Sequence, residues 1–183
     1  PTFYETPTVI VFQKQLPPTT RGHAKKAIWL ETIRNSPEGD VRRKSQNFLN
    51  SIKGRFELPS LKDTEGIFLN ENGYVAEGVT SNVFWVTNGV LYTPSIRTGI
   101  LPGTTRAFLL TLAAKSGIPV KEGFYGKEDV KHADELFVTN AIQELIPITE
   151  INGVRFAGAE GAMYRALHER YVNEVNKAKE GGN

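Results

Sequence analysis

Residues 82–93, NVFWVTNGVLYT, constrain the fold of this chain more than any other stretch. Two runs of β-branched and aromatic residues flank Asn88-Gly89. An Asn-Gly pair accepts the positive φ angles of a tight two-residue turn, and that turn twists in the same hand as the strands it joins. The stretch therefore predicts an antiparallel hairpin. GIFLNENGYVAEG repeats the arrangement around Glu71-Asn72-Gly73, and Asn152-Gly153 marks a third hairpin.

Helical and strand signals fill the intervals. Residues 104–116 follow the loop GILPG and read as a helix closed by Gly117. A strand at 119–123, a short helix at 127–131 and a strand at 135–139 come next. A helix over 160–179 ends the chain, with Met163, Ala166, Leu167, Tyr171 and Val175 on one stripe, a pattern that most often docks on its own domain. Near the start, residues 8–13 (TVIVFQ) read as a buried strand, and residues 27–33 as a second one. After the turn Ser36-Pro37-Glu38-Gly39, Phe48, Leu49, Ile52 and Phe56 recur at helical spacing. They predict a helix over 40–58, with Asp40 as its N-cap and Lys44 in its first turns. The result is a mixed α/β layout in one unit without repeats. A chain of 183 residues is long enough to bury about two-thirds of its surface.

Composition removes several classes of function. Lys and Arg number 22 against 20 Asp and Glu, and the basic residues are scattered, which argues against a nucleic-acid surface. There is no cysteine, so disulfides and thiolate metal sites are excluded, in keeping with a cytoplasmic protein. His23, His132 and His168 share no ligand spacing, so no metal site is expected. No apolar run is long enough to span a membrane. Trp29, Trp85 and the Phe and Tyr residues alternate within strands as core residues do.

Three polar features remain. Lys44 opens KSQNFLN, Glu77 lies in EGVTSNVF at a strand end, and LPGTTR starts a helix with Thr104 and Thr105. Singly, each has an ordinary reading: a solvated lysine, a sheet-edge charge, a helix cap. Together they are an amine, a carboxylate and a row of free backbone amides at the positive end of a helix dipole. Pyridoxal phosphate needs these three: a lysine for its aldehyde, an acid for its ring nitrogen and a cradle for its phosphate.

KSQNFLN, GYVAEGVTSNVFWV, GILPGTTR and FVTNAIQELIPIT, in this order, resemble the fold type IV pyridoxal-phosphate enzymes. That family includes branched-chain aminotransferases, D-amino-acid aminotransferases and aminodeoxychorismate lyases. The resemblance covers nearly the whole chain and implies a D-amino-acid-aminotransferase-like fold, with residues 1–183 as its larger C-terminal α/β pseudo-barrel domain. It implies Lys44 as the Schiff-base lysine, partly buried beside the cofactor, and Glu77 as the acid on the pyridine nitrogen. Leu101 then packs on the ring, Thr104 and Thr105 bind the phosphate, and the loop Thr139-Asn140-Ala141 faces the substrate carboxylate. A homodimer acting on a small amino substrate is expected. Two departures stand out. The family has a smaller N-terminal domain that gives an arginine to the phosphate, and nothing in this chain corresponds to it, so the site is expected to be incomplete in this chain by itself. Phe48 also stands where several relatives have a tyrosine near the cofactor.

Within the family, TNAIQELIPIT and RNSPEGDVRRKS look most like the lyases, which implies conversion of 4-amino-4-deoxychorismate to 4-aminobenzoate and pyruvate. A branched-chain or D-amino-acid aminotransferase is the alternative. A binding module that keeps the fold without the chemistry is a third reading, against which stand Lys44, Glu77 and Thr105 together.

Overall fold

The computed structural model describes residues 6, 8–13, 23–60 and 62–180. Nine strands form one sheet: β1 (Lys25–Trp29), β2 (Thr64–Leu69), β3 (Val75–Gly78), β4 (Asn82–Thr87), β5 (Val90–Pro94), β6 (Val120–Gly123), β7 (Glu135–Asn140), β8 (Glu144–Ile151) and β9 (Val154–Arg155). Their order is β3-β2-β1-β8-β7-β4-β5-β6, with β9 beside β8. The pairs β1–β2, β1–β8 and β5–β6 are parallel, and the others are antiparallel. The sheet curls until its two edges meet, where the Val75 N–H on β3 donates to the Tyr125 carbonyl just past β6 at 2.7 Å. This is the expected pseudo-barrel.

The Asn-Gly turns act as their chemistry dictates. Asn88 and Gly89 have φ of 51° and 74°, and β4 and β5 pair in register Trp85↔Tyr92 and Thr87↔Val90. Inside the barrel lie Ala27, Ile67, Val75, Val83, Trp85, Leu136, Val138, Ile146 and Ile148. On the outside, α2 (Thr104–Lys115) and α4 (Ala162–Glu180) cover Phe84, Leu91, Phe137 and Leu145. The Glu135 carboxylate accepts the Met163 and Tyr164 amides at 2.9 and 2.7 Å, which fixes where α4 begins. Tyr164, Leu167 and Tyr171 are buried, so the apolar stripe of α4 docks on its own sheet. The short helix α3 spans Lys127–Lys131, as its sequence predicts.

The N-terminal third departs from expectation in three places. Residues 8–13 pair with no strand, and Val9, Val11 and Phe12 are 79, 87 and 86% exposed. Their β-propensity is real, but a strand also requires an edge to bond to, and none of the described edges receives this segment. The strand expected over 27–33 stops at Trp29, because the Glu57 carboxylate takes the Glu31 and Thr32 amides at 2.6 and 2.9 Å and removes them from the ladder.

The helix expected from Asp40 begins instead at Leu49 and ends at Phe56 (α1). Residues 40–48 are irregular because Arg42 is drawn inward, its guanidinium donating to the Gly99 and Asn35 carbonyls. Helical periodicity is correct from Phe48 onward, yet Leu49, Ile52 and Phe56 face solvent. The single buried position of α1 is Gly54, where a Cβ would lie 2.5 Å from Phe68 Cζ. The helix docks through the face that has no side chain.

Candidate active site

The site grows from the end of β3. Glu77 is 4% exposed, and water reaches little of its carboxylate. Burial pushes its pKa up, while Arg34, the Leu101 amide and Arg42 pull it back down. Oε1 accepts from Arg34 Nε at 2.9 Å and lies 2.8 Å from Nη2, with Arg42 Nε at 3.9 Å. Oε2 accepts the Leu101 N–H at 2.9 Å and lies 3.5 Å from Asn82 Nδ2. The sheet-edge reading of this charge fails, since its environment is a built one.

Asn82, the first residue of β4, ties Glu77 to the start of α2. Its Nδ2 donates to the Leu101 carbonyl at 2.9 Å, and its Oδ1 lies against Gly103. A Cβ at Gly103 would meet that oxygen at 2.1 Å, so any other residue here must push the Asn82 side chain aside. Gly103 is the N-cap residue of α2, and no side chain caps the helix. The amides of Thr104, Thr105 and Arg106 therefore lack an intrahelical acceptor, and no acidic side chain occupies the first turn. Thr104 is exposed and Thr105 buried, so the cradle has one open wall and one closed wall.

Thr139 pairs directly with Asn82 across β4 and β7, which puts both side chains on the same face of the sheet as α2. It is 1% exposed, and its Oγ1 has no hydrogen-bond partner among the described residues. A buried hydroxyl without a partner costs about 1–3 kcal/mol, so this orphan marks a place where a polar ligand is welcome. Asn140, the last residue of β7, spends its side-chain oxygen on the Ile142 and Gln143 amides at 2.9 and 2.7 Å. The expected substrate loop is thus two strand residues and one turn residue, the exposed Ala141. At the far end of this turn Glu144, the first residue of β8, has a φ of 61°.

Glu77 and Leu101 are in direct contact, and Asn82 links them to Gly103, the residue before Thr104 and Thr105, and to its cross-strand neighbour Thr139. Lys44 does not join them through any hydrogen bond or ion pair among the described residues, and it is exposed rather than partly buried in a helix. Its segment is nevertheless moored on both sides. Arg42, just before it, reaches Glu77, and Asn50, just after it, accepts from Arg34 Nη1 at 2.8 Å. Phe48, the departure noted above, is 48% exposed.

Sequence reasoning missed Arg34, Arg42 and Asn82. Nothing in TIRNSP or DVRRKS separates a buried arginine from a solvated one. Asn82 carried a signal, because asparagine is a poor residue with which to open a strand of Val, Phe and Trp.

A family model described as amino-transferase class IV matches residues 2–151. The chain is 41% identical over 172 residues to an aminodeoxychorismate lyase of Bacillus subtilis, covering 94% of this chain and 59% of that protein. It is 37% identical over 136 residues to a D-alanine aminotransferase of Listeria monocytogenes, covering 74% of this chain and 47% of that one. Among solved structures, the branched-chain amino acid aminotransferase of Thermobaculum terrenum in its PLP-form superposes with a TM-score of 0.78 at 31% identity. That match covers 85% of this chain and 52% of the other.

Proposed function

The chain belongs to the amino-transferase class IV family, and from that premise we propose that the complete protein is a pyridoxal-phosphate-dependent lyase. Its reaction is the conversion of 4-amino-4-deoxychorismate to 4-aminobenzoate and pyruvate. The observation that carries the lyase reading is the 41% identity to the Bacillus subtilis lyase along 94% of the chain. The residues present suit the cofactor: an uncapped helix start, an orphaned buried hydroxyl and a carboxylate with acceptor capacity to spare.

When bound, pyridoxal phosphate supplies an aldehyde and an electron-accepting ring. The chain's residues do the rest. The Thr104, Thr105 and Arg106 amides, with the Thr105 hydroxyl, hold the phosphate at the positive end of α2. Glu77 Oε2 would accept the ring N–H and keep that proton in place. Leu101 offers an apolar flank while its own amide fixes the carboxylate. Lys44 would hold the aldehyde through its amine and would move the proton at the substrate carbon bearing nitrogen. Exposure leaves its amine accessible for both tasks. Thr139 and the Asn140–Ala141 turn would meet the substrate carboxylate.

The complete protein should release pyruvate and 4-aminobenzoate with no keto-acid acceptor, because elimination leaves the cofactor in its starting oxidation state. The D-alanine aminotransferase match favours a second reading, in which an acceptor is obligatory. Conversion of D-alanine or leucine to keto acids without turnover of aminodeoxychorismate would establish that second reading instead. On the first, the working form is a cytoplasmic homodimer. The chain spans 59% of the Bacillus enzyme's length, so the assay belongs to the complete protein.

A further inference from the structure

Arg34 stands outside every role assigned so far, yet it is the most connected polar side chain near Glu77. It follows β1 in an irregular link, and its amide is held by the Leu69 carbonyl at 2.8 Å. Its guanidinium is almost wholly buried and lies over the Phe68 ring at 5.3 Å. All three guanidinium nitrogens are engaged. Nε and Nη2 grip one oxygen of Glu77, and Nη1 donates to Asn50 Oδ1 at 2.8 Å and Ser51 Oγ at 3.3 Å on α1. Asn50 in turn donates to the Ile33 carbonyl at 2.8 Å, next to Arg34 itself.

The distribution of donors over the carboxylate is uneven. Oε1 is saturated by Arg34, with Arg42 behind it. Oε2 has one good donor, the Leu101 amide, and a stretched contact to Asn82. Each carboxylate oxygen accepts two hydrogen bonds, so the spare capacity is on Oε2, on the side of Asn82 and the α2 start. A lysine in place of Arg34 would bring one point charge where a planar fork now meets two elements at once.

We infer that Arg34 is a positioning residue: it holds Glu77 as an anion with Oε1 occupied and Oε2 available to a protonated heterocyclic nitrogen, and anchors α1, which follows the Lys44 segment, to the same carboxylate. The inference rests on the reading of Glu77 as the acid facing a ring nitrogen. The charged groups that face Glu77 are Arg34 and Arg42, and Glu38 acts on Arg42 from the segment before α1. Without Arg34, burial is opposed only by Arg42 and backbone and amide donors. The carboxyl would then hold its proton to higher pH, and the ring nitrogen would face a neutral acid.

The test is a carboxyl 13C NMR titration of Glu77 in the ligand-free chain, with the signal assigned by its loss in Glu77→Gln. Arg34→Met should raise the titration midpoint by about 1–3 pH units, the usual effect of an adjacent opposite charge. Arg34→Lys keeps a charge and should raise it less, so it serves if Arg34→Met does not fold. The sign of the stability change follows. A carboxyl whose folded pKa has risen weakens the fold as pH climbs past its unfolded value, so either variant should lose more stability at neutral pH than in acid. An arginine that merely packs would lower stability equally at both and leave the midpoint unmoved. An unmoved midpoint in the variants overturns the inference. Addition of pyridoxal phosphate to the complete protein separates the two readings: a visible band with an unmoved midpoint sinks only the role of Arg34. A shifted midpoint without any band supports the clamp and sinks the cofactor reading.

Discussion

Two halves of the candidate site are built in opposite ways. The half carried by β3, β4, β7 and the start of α2 is buried and interlocked, with Glu77, Asn82, Leu101 and Gly103 in mutual contact. The half carried by residues 40–56 lies open. Lys44 is exposed, and Leu49, Ile52 and Phe56 of α1 turn their apolar side chains to solvent. The first half is positioned by ladder hydrogen bonds and a filled interior before any ligand arrives. The second is moored by two arginines and a glycine contact. Buried contacts are thus concentrated around the Glu77 carboxylate, and the Lys44 amine, which on the proposed reading engages the cofactor, sits on the open side.

Variants can break that contrast, beginning with the largest effect. Lys44→Ala in the complete protein should lower turnover by up to ~10⁴-fold, the upper range for a group that moves a proton. Its exposure means that stability should stay within about 0.5 kcal/mol, measured by urea unfolding. An equally large stability loss would show that the open half is as built as the buried one. Glu77→Gln should cost ~10²-fold in turnover and also roughly 3 kcal/mol of stability, because it strips a buried guanidinium of its counter-charge. Normal stability with lost activity would show that the clamp around Glu77 bears no weight in the fold.

Smaller effects sharpen the same line. Gly103→Ala should cost about 1–3 kcal/mol by forcing Asn82 aside, and should weaken pyridoxal phosphate binding in a spectroscopic titration. Gly54→Ala meets the fully buried Phe68 ring and a buried Leu30 methyl group, an overpacking cost of about 1–3 kcal/mol. Alanine favours the helix by about 1 kcal/mol over glycine, which should offset part of that cost in urea unfolding. The least effect concerns alkaline pH. Burial and Glu144 push the Tyr164 phenol from 10.0 up to about 12. The folded form then keeps a proton that the unfolded chain releases, and stability should decline between these pH values. Tyr164→Phe should reduce that decline in an unfolding titration, leaving the smaller part that comes from Tyr125 and Tyr171, whose phenols burial also pushes up.

The hairpin at Asn88-Gly89, the helix from Thr104 and its stop at Gly117 were legible because each depends on backbone geometry within a few residues. The same holds for Lys127–Lys131 and for Glu135 onward. Residues 8–13 and 40–48 were misread for a shared reason. Their local preferences were genuine, but a strand needs a partner edge, and a helix start can be overruled when one of its residues is drawn elsewhere. Arg42 was that residue.

The site divides in the same way. The motifs around Lys44, Glu77 and Thr104-Thr105 could be read from the chain, and so could the kind of cofactor they suit, because residue types and their order carry that information. The pairing of Asn82 with Thr139, the orphaned Thr139 hydroxyl and the grip of Arg34 on Glu77 could not. Each arises between residues distant in sequence, where burial strips away water and makes a hydrogen-bond partner decisive. Local sequence determined which elements form and which chemistry they can carry. Only the closed sheet, by deciding what is buried beside what, determined which arginine is a surface charge and which one holds the carboxylate.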